Sequence, residues 1–150
     1  MKNDFVKFVF AVLALVIGGA LEELLPTWSG VGVPVLLSAV AAFALLGSAV
    51  EGVLMALAAG AFEESLASLP PVAAISFFVM LAVAVRCSRM PWFWMAAAYP
   101  LYQLWIGLMC PGSGGGVFGR FFIAIPVGIV TVFAGLAALT FLRGKAGADA

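Results

Sequence analysis

Residues 52–71 read GVLMALAAGAFEESLASLPP, and this stretch decides the fold. Nothing in it breaks a helix before Pro70-Pro71, and its apolar residues run unbroken to the acidic pair Glu63-Glu64. Gly52, Ala56 and Gly60 recur at i, i+4 and i+8, an extended small-xxx-small face that lets another helix approach closely. That face suits packing within a helical bundle, against another protein, or against a second copy of the chain. Beyond the prolines comes a second apolar helix, PVAAISFFVMLAVAVR (71–86). The stretch therefore reads as one half of a helical hairpin, closed by two glutamates and a proline turn.

Working outward, the same scheme occurs earlier. GALEELL (19–25) matches GAFEESL (60–66) at five of seven positions and is followed by Pro34 and the apolar helix PVLLSAVAAFALL (34–46). Both units run helix, Glu-Glu, Leu, linker, Pro-Val, helix. Two hairpins related by a weak internal repeat explain the match, as does chance similarity between apolar segments of low complexity.

Composition states what surrounds these helices. The 150 residues are 65% hydrophobic and only 9% charged, with a mean hydropathy of +1.23. An ordinary soluble domain carries about 25% charged residues. A chain of this size cannot hide so much apolar side chain in one core. An all-α, polytopic membrane protein follows, a compact bundle of short transmembrane helices in contact with the lipid bilayer.

Apolar runs broken by Pro, Gly and charge give six spans, at 5–24, 33–47, 50–67, 71–86, 91–109 and 117–142. Five spans result if the second and third form a re-entrant hairpin. Residues 1–142 form a single transmembrane domain and 143–150 a short tail. With six crossings, Lys2, Lys7, Arg86, Arg89, Arg143 and Lys145 share one side, and Arg120 alone occupies the other. The positive-inside rule then puts both termini and the tail in the cytoplasm. The N-terminus also has the generic layout of a signal peptide, with two lysines, an apolar run and Gly18-Gly19-Ala20; it is read here as a retained first span.

Several chemistries have no residues to serve them. The chain has no His, hence no Ser-His or Cys-His pair and not the commonest metal ligand. Neither a cofactor nor a metal is implied. Net charge is zero, and no basic patch suggests nucleic acid. A helix between Cys87 and Cys110 holds them roughly 35 Å apart, so a disulfide between them is excluded. The loop from Cys110 to Gly116 lacks the GK[ST] ending of a phosphate loop.

The remaining polar groups are few. Four of seven carboxylates sit in the two Glu-Glu pairs, at C-terminal helix ends, where the helix dipole makes them mildly unfavourable. Either they mark interfacial ends and reach to water, or at least one of each pair faces inward to a cavity or partner. Arg120 is then the natural internal partner for Glu23, Glu63 or Glu64. Glu51 opens the third span, where the dipole favours it. Pro100 and Pro126 should kink the fifth and sixth spans. Tyr99, Tyr102 and Gln103 can bond a neighbouring helix, and Trp92, Trp94 and Trp105 read as belt and packing aromatics.

With the hairpins laid out, the chain resembles the bacterial rod-shape-determining protein family MreD. The residues that carry the likeness are Leu25-Pro26, Pro34, Gly52, Gly60, Glu63-Glu64 and Leu69-Pro70, across roughly 15–86. Val35, where the family often has Asp, and Pro70-Pro71, where it often has Gly, depart from the pattern, as does Glu in place of the family's usual Asp. The resemblance implies a non-enzymatic scaffold of the elongation complex in the inner membrane. Its partners would be an MreC-type bitopic protein and the cell-wall synthase that makes peptidoglycan. It places the functional weight on Glu63 and Glu64 and leaves Glu22 and Glu23 interfacial.

The six-helix plan also looks like the substrate-binding subunits of energy-coupling-factor vitamin transporters. A small transporter, or such a subunit, should bring the Glu pairs, Arg120 and Gln103 together on a cavity of several hundred cubic ångströms. A membrane enzyme is the third and most distant reading.

Overall fold

Proline and glycine punctuate the chain where the helices end. The computed structural model describes residues 2–27, 31–110 and 116–148. Among these it holds six helices: α1 (Lys2–Leu24), α2 (Val35–Leu46), α3 (Ala49–Ala67), α4 (Ala73–Cys87), α5 (Pro91–Met109) and α6 (Val117–Ala148). The described chain is all-helical. Residues 111–115 of the Gly-rich loop and the side chains of Lys2, Arg143 and Lys145 lie outside the described residues.

Local chemistry fixes several boundaries. Ser48 starts α3 with a capping box, its hydroxyl accepting from Glu51 N at 3.2 Å while the Glu51 carboxylate accepts from Ser48 N at 2.9 Å. This satisfies two N–H groups that a helix start leaves orphaned. Lys7 of α1 reaches the same carboxylate at 3.2 Å, and Arg86 near the end of α4 donates to Gly47 O at 3.2 Å. These contacts gather the start of α1, the α2–α3 turn and the end of α4 at one end of the bundle. Pro91 opens α5, where its missing N–H costs nothing.

α2 is the centre. Its 12 residues span only about 18 Å, yet it packs against all five other helices. Leu36, Leu37 and Val40 are fully enclosed. Its one polar side chain, Ser38, is buried and donates to Val35 O at 2.7 Å, so no polar atom is stranded in the core. A helix apolar on every face belongs inside a bundle, and α2 lies there.

The glycine face of α3 is consumed inside this bundle. A Cβ on Gly52 would lie 3.0 Å from Ala44 Cα of α2, and one on Gly60 would lie 2.6 Å from Ile75 Cα of α4. Ala56 between them is fully buried. Close backbone approach of three helices is what this spacing provides.

α1 and α6 are peripheral. α1 rests on α2 and α3, and α6 on α5 and α2. Their outer faces carry Phe5, Phe8, Val16 and Ile17, and Phe118, Phe122 and Val130, all more than half exposed. Phe5–Leu24 and Val117–Leu142 are long and apolar enough to cross a membrane; α2 and α4 are apolar but shorter. α6 does not stop at Leu142, where the last span was expected to end, but continues helically to Ala148. Pro100 and Pro126 sit inside α5 and α6, which continue on both sides of them.

Candidate functional site

The end of the bundle opposite Lys7 and Arg86 holds the polar chemistry. α2 and α4 both start there without a capping side chain of their own, behind Pro34 and Val72. Their open N–H groups must find partners elsewhere. The glutamates at the ends of the preceding helices supply them.

Glu64 does this for α4. One carboxylate oxygen accepts from Ala74 N at 2.9 Å and Ile75 N at 3.0 Å, and the other from Val72 N at 3.0 Å. Glu22 does it for α2, accepting from Leu36 N at 2.9 Å. The objection that carboxylates are unfavourable at a helix C-terminus is thereby answered. Each faces the positive N-terminal end of the next helix, where a charge-assisted bond is strong.

Glu63 points elsewhere. It accepts a hydrogen bond from the Tyr102 hydroxyl of α5 at 3.1 Å, and its carboxyl group adjoins that of Glu22 within hydrogen-bonding reach. Tyr99, one turn earlier on α5, donates to Gly32 O at 2.6 Å, with Gln103 beside it. Both tyrosines are buried. Phe77 and Phe78 pack tilted against Tyr102 with ring centroids 5.2 and 5.5 Å away, and Trp105 Nε1 donates to Ala73 O at 2.8 Å. α5 is thus pinned to the loop before α2, to α3 and to the start of α4.

These groups surround a cavity of about 300 Å³. Glu22, Glu23, Glu63, Tyr99, Tyr102 and Gln103 provide its polar wall, and Leu37, Leu66 and Phe78 part of its apolar wall. A pocket with apolar sides and a few convergent polar groups is the usual form of a small-molecule site. Among the described residues no three His, Cys, Asp or Glu side chains are placed to hold a metal ion.

The sequence-derived candidates separate on this geometry. Glu63 lies in the cavity, whereas Glu64 is turned to the α4 backbone and does not line it. Glu22, expected to be merely interfacial, turns inward instead, because the uncapped start of α2 draws it there. Glu23 remains exposed at the rim. Arg120 forms no ion pair with any of the four glutamates: it sits in the first turn of α6, which packs chiefly on α5 and α2. Gly52, Ala56 and Gly60 are internal packing residues. No disulfide joins Cys87 and Cys110.

A second depression, of about 440 Å³, lies on the flank between α1 and α3. Val16, Gly19, Ala20 and Leu24 form one side, Phe62 and Leu66 the other, with Glu23 at its edge. It is almost wholly apolar.

Comparison of the chain with protein-family models, with curated proteins and with solved structures finds no match.

Proposed function

We propose that the chain is a multi-pass protein of the bacterial inner membrane and a non-enzymatic scaffold of the cell-shape complex, of the MreD kind. Both termini would lie in the cytoplasm, with Lys7 and Arg86 at the inner end and the glutamates at the outer end. α1 and α6 would face lipid, and the short α2 would cross within a sheath of its neighbours, never touching the bilayer. The exposed apolar faces of the two long helices support this placement, since an aqueous surface of that kind is unfavourable.

The observation that carries the scaffold reading is the flank groove between α1 and α3. Gly19 is covered by the Phe62 ring, but the exposed small residue Ala20 beside it leaves room for one more apolar helix at close range, and a bitopic partner has one such helix to offer. Ala20 is exposed and makes no bond that the fold needs. Ala20→Phe should fill the groove and leave the bundle folded. Mild-detergent pull-down from the native host should then recover the bitopic shape protein with the wild-type chain and much less of it with the variant. Equal recovery with both chains sinks the reading, as does recovery of an ATPase pair.

The cavity favours a second reading, a small-molecule-binding membrane subunit or transporter. Three of the four expected groups converge there: both members of the first Glu pair, Glu63 of the second, and Gln103. The missing Arg120 keeps this reading second.

A further inference from the structure

We propose that the cavity bounded by α1, α3 and α5 binds a small organic cation carrying a primary ammonium group. The site is built from three elements that converge. Glu22 is fixed by Leu36 N and Glu63 by the Tyr102 hydroxyl, so both carboxyl groups are held in place before a ligand arrives. The side chains beside them, Tyr99 and Gln103, add a hydroxyl and an amide oxygen. Phe78, Tyr99 and Tyr102 supply aromatic walls, whose negative faces attract cations.

Charge defines the class of ligand. Glu22 and Glu63 adjoin within hydrogen-bonding reach; without a ligand a shared proton joins the two carboxyl groups, and a cation that enters takes the place of that proton, which leaves to solvent. Among the described residues no cation lines the cavity: Lys7 and Arg86 bond at the other end of the bundle, and Arg120 pairs with none of the four paired glutamates. An ammonium group brings three donors and no acceptor, which suits two carboxylates and one further oxygen. Among the described residues no three His, Cys, Asp or Glu side chains are placed to hold a metal ion. The volume, about 300 Å³, lies at the low end for small-molecule sites and excludes large cofactors. Among the described residues Glu23 at the rim is the one further charged group lining the space, and α2 and α4 present no titratable side chain to it.

Putrescine is a suitable probe, with butane-1,4-diol as its neutral counterpart. Thermal unfolding of the purified full chain in detergent should show a saturable rise in midpoint with putrescine and none with the diol. Glu63→Gln should weaken putrescine binding at least tenfold. Ala67→Trp, at an exposed cavity-lining position, should block entry without touching a carboxylate. Gel filtration and circular dichroism check that both variants fold. Absence of saturable putrescine binding, equal binding of the diol, the same stabilisation by sodium chloride alone, or wild-type affinity in both variants overturns the proposal. The site rests on the cavity and not on the partner reading. Loss of binding with the bitopic protein still recovered sinks only the ligand, and the reverse result sinks only the scaffold.

Discussion

The α1–α2 and α3–α4 hairpins share a layout but use their glutamates in opposite order. In α3–α4 the second glutamate, Glu64, takes three backbone N–H groups at the start of α4. In α1–α2 the first, Glu22, takes one at the start of α2. The connection lengths explain the swap. α3 turns into α4 through a tight loop with Ser68 at φ 49° and Val72 at φ 69°, which brings the new helix start under the last turn of the old. The longer 25–34 connection lets α2 start deeper, beside Glu22 and in the middle of the bundle. The remaining glutamate of each pair is then released, Glu63 into the cavity and Glu23 to the rim. A short loop makes a rigid hairpin, and a long one makes room for a cavity.

The largest effect should come from the matched glycines. Gly19 and Gly60 open the two repeated stretches, but they meet different neighbours. A Cβ on Gly60 runs into the backbone of Ile75, whereas one on Gly19 meets the ring of Phe62, a partly exposed side chain. Backbone cannot give way without parting two helices; a ring can swing aside. Gly60→Ala should cost about 3 kcal/mol, near the top of the overpacking range, and Gly19→Ala about 1 kcal/mol or less. Unfolding in mixed detergent micelles measures both, and equal losses would break the comparison.

Glu64→Ala should come next, at about 2 kcal/mol. It removes a charged acceptor from three helix-start N–H groups. In the same assay Glu23→Ala, at an exposed rim position, should stay within about 0.5 kcal/mol.

Val72→Gly should raise stability, by about 1 kcal/mol. A β-branched residue in the left-handed region is strained, and Val72 is 59% exposed, so little packing is lost. The gain is reduced by the greater chain freedom of glycine when unfolded. A lower unfolding midpoint would mean that the tight α3–α4 loop is held by Val72 itself and not by Glu64.

Much of this was legible in the residues. Pro34, Pro70-Pro71 and Pro91 set helix starts to within a few residues, and Gly52, Ala56 and Gly60 gave a face that does pack. What the pattern left open was rotation. Whether Glu22 or Glu23 points inward depends on how α1 is turned on α2, which no local signal states. The pairing of Tyr102 with Glu63 likewise depends on α5 docking beside α3. One signal was present and informative: neither α2 nor α4 is preceded by Ser, Thr, Asp or Asn at its N-cap, so their caps had to come from elsewhere. The nearest acids in each hairpin are the glutamate pairs. Arg120 misled because lying toward the same end of a bundle does not make two helices neighbours.

The smallest expected effect is the most discriminating. Glu22→Gln keeps an oxygen that can accept from Leu36 N, so the cap to α2 loses its charge assistance and not its bond. That loss should be about 1 kcal/mol. The same substitution replaces the carboxyl that adjoins Glu63 by an amide whose NH2 can donate to Glu63 without a shared proton, and this offsets the loss by a similar amount. Unfolding stability should therefore change by less than about 0.5 kcal/mol, in contrast to Glu64→Ala, for which nothing compensates. If Glu22→Gln destabilises as strongly as Glu64→Ala, Glu22 is a cap and nothing more, and the two hairpins are alike after all. If it stabilises the protein, the carboxyl pair is held together against its own repulsion. Structure alone gives no reason to keep such a pair, and the demand must then come from what occupies the cavity.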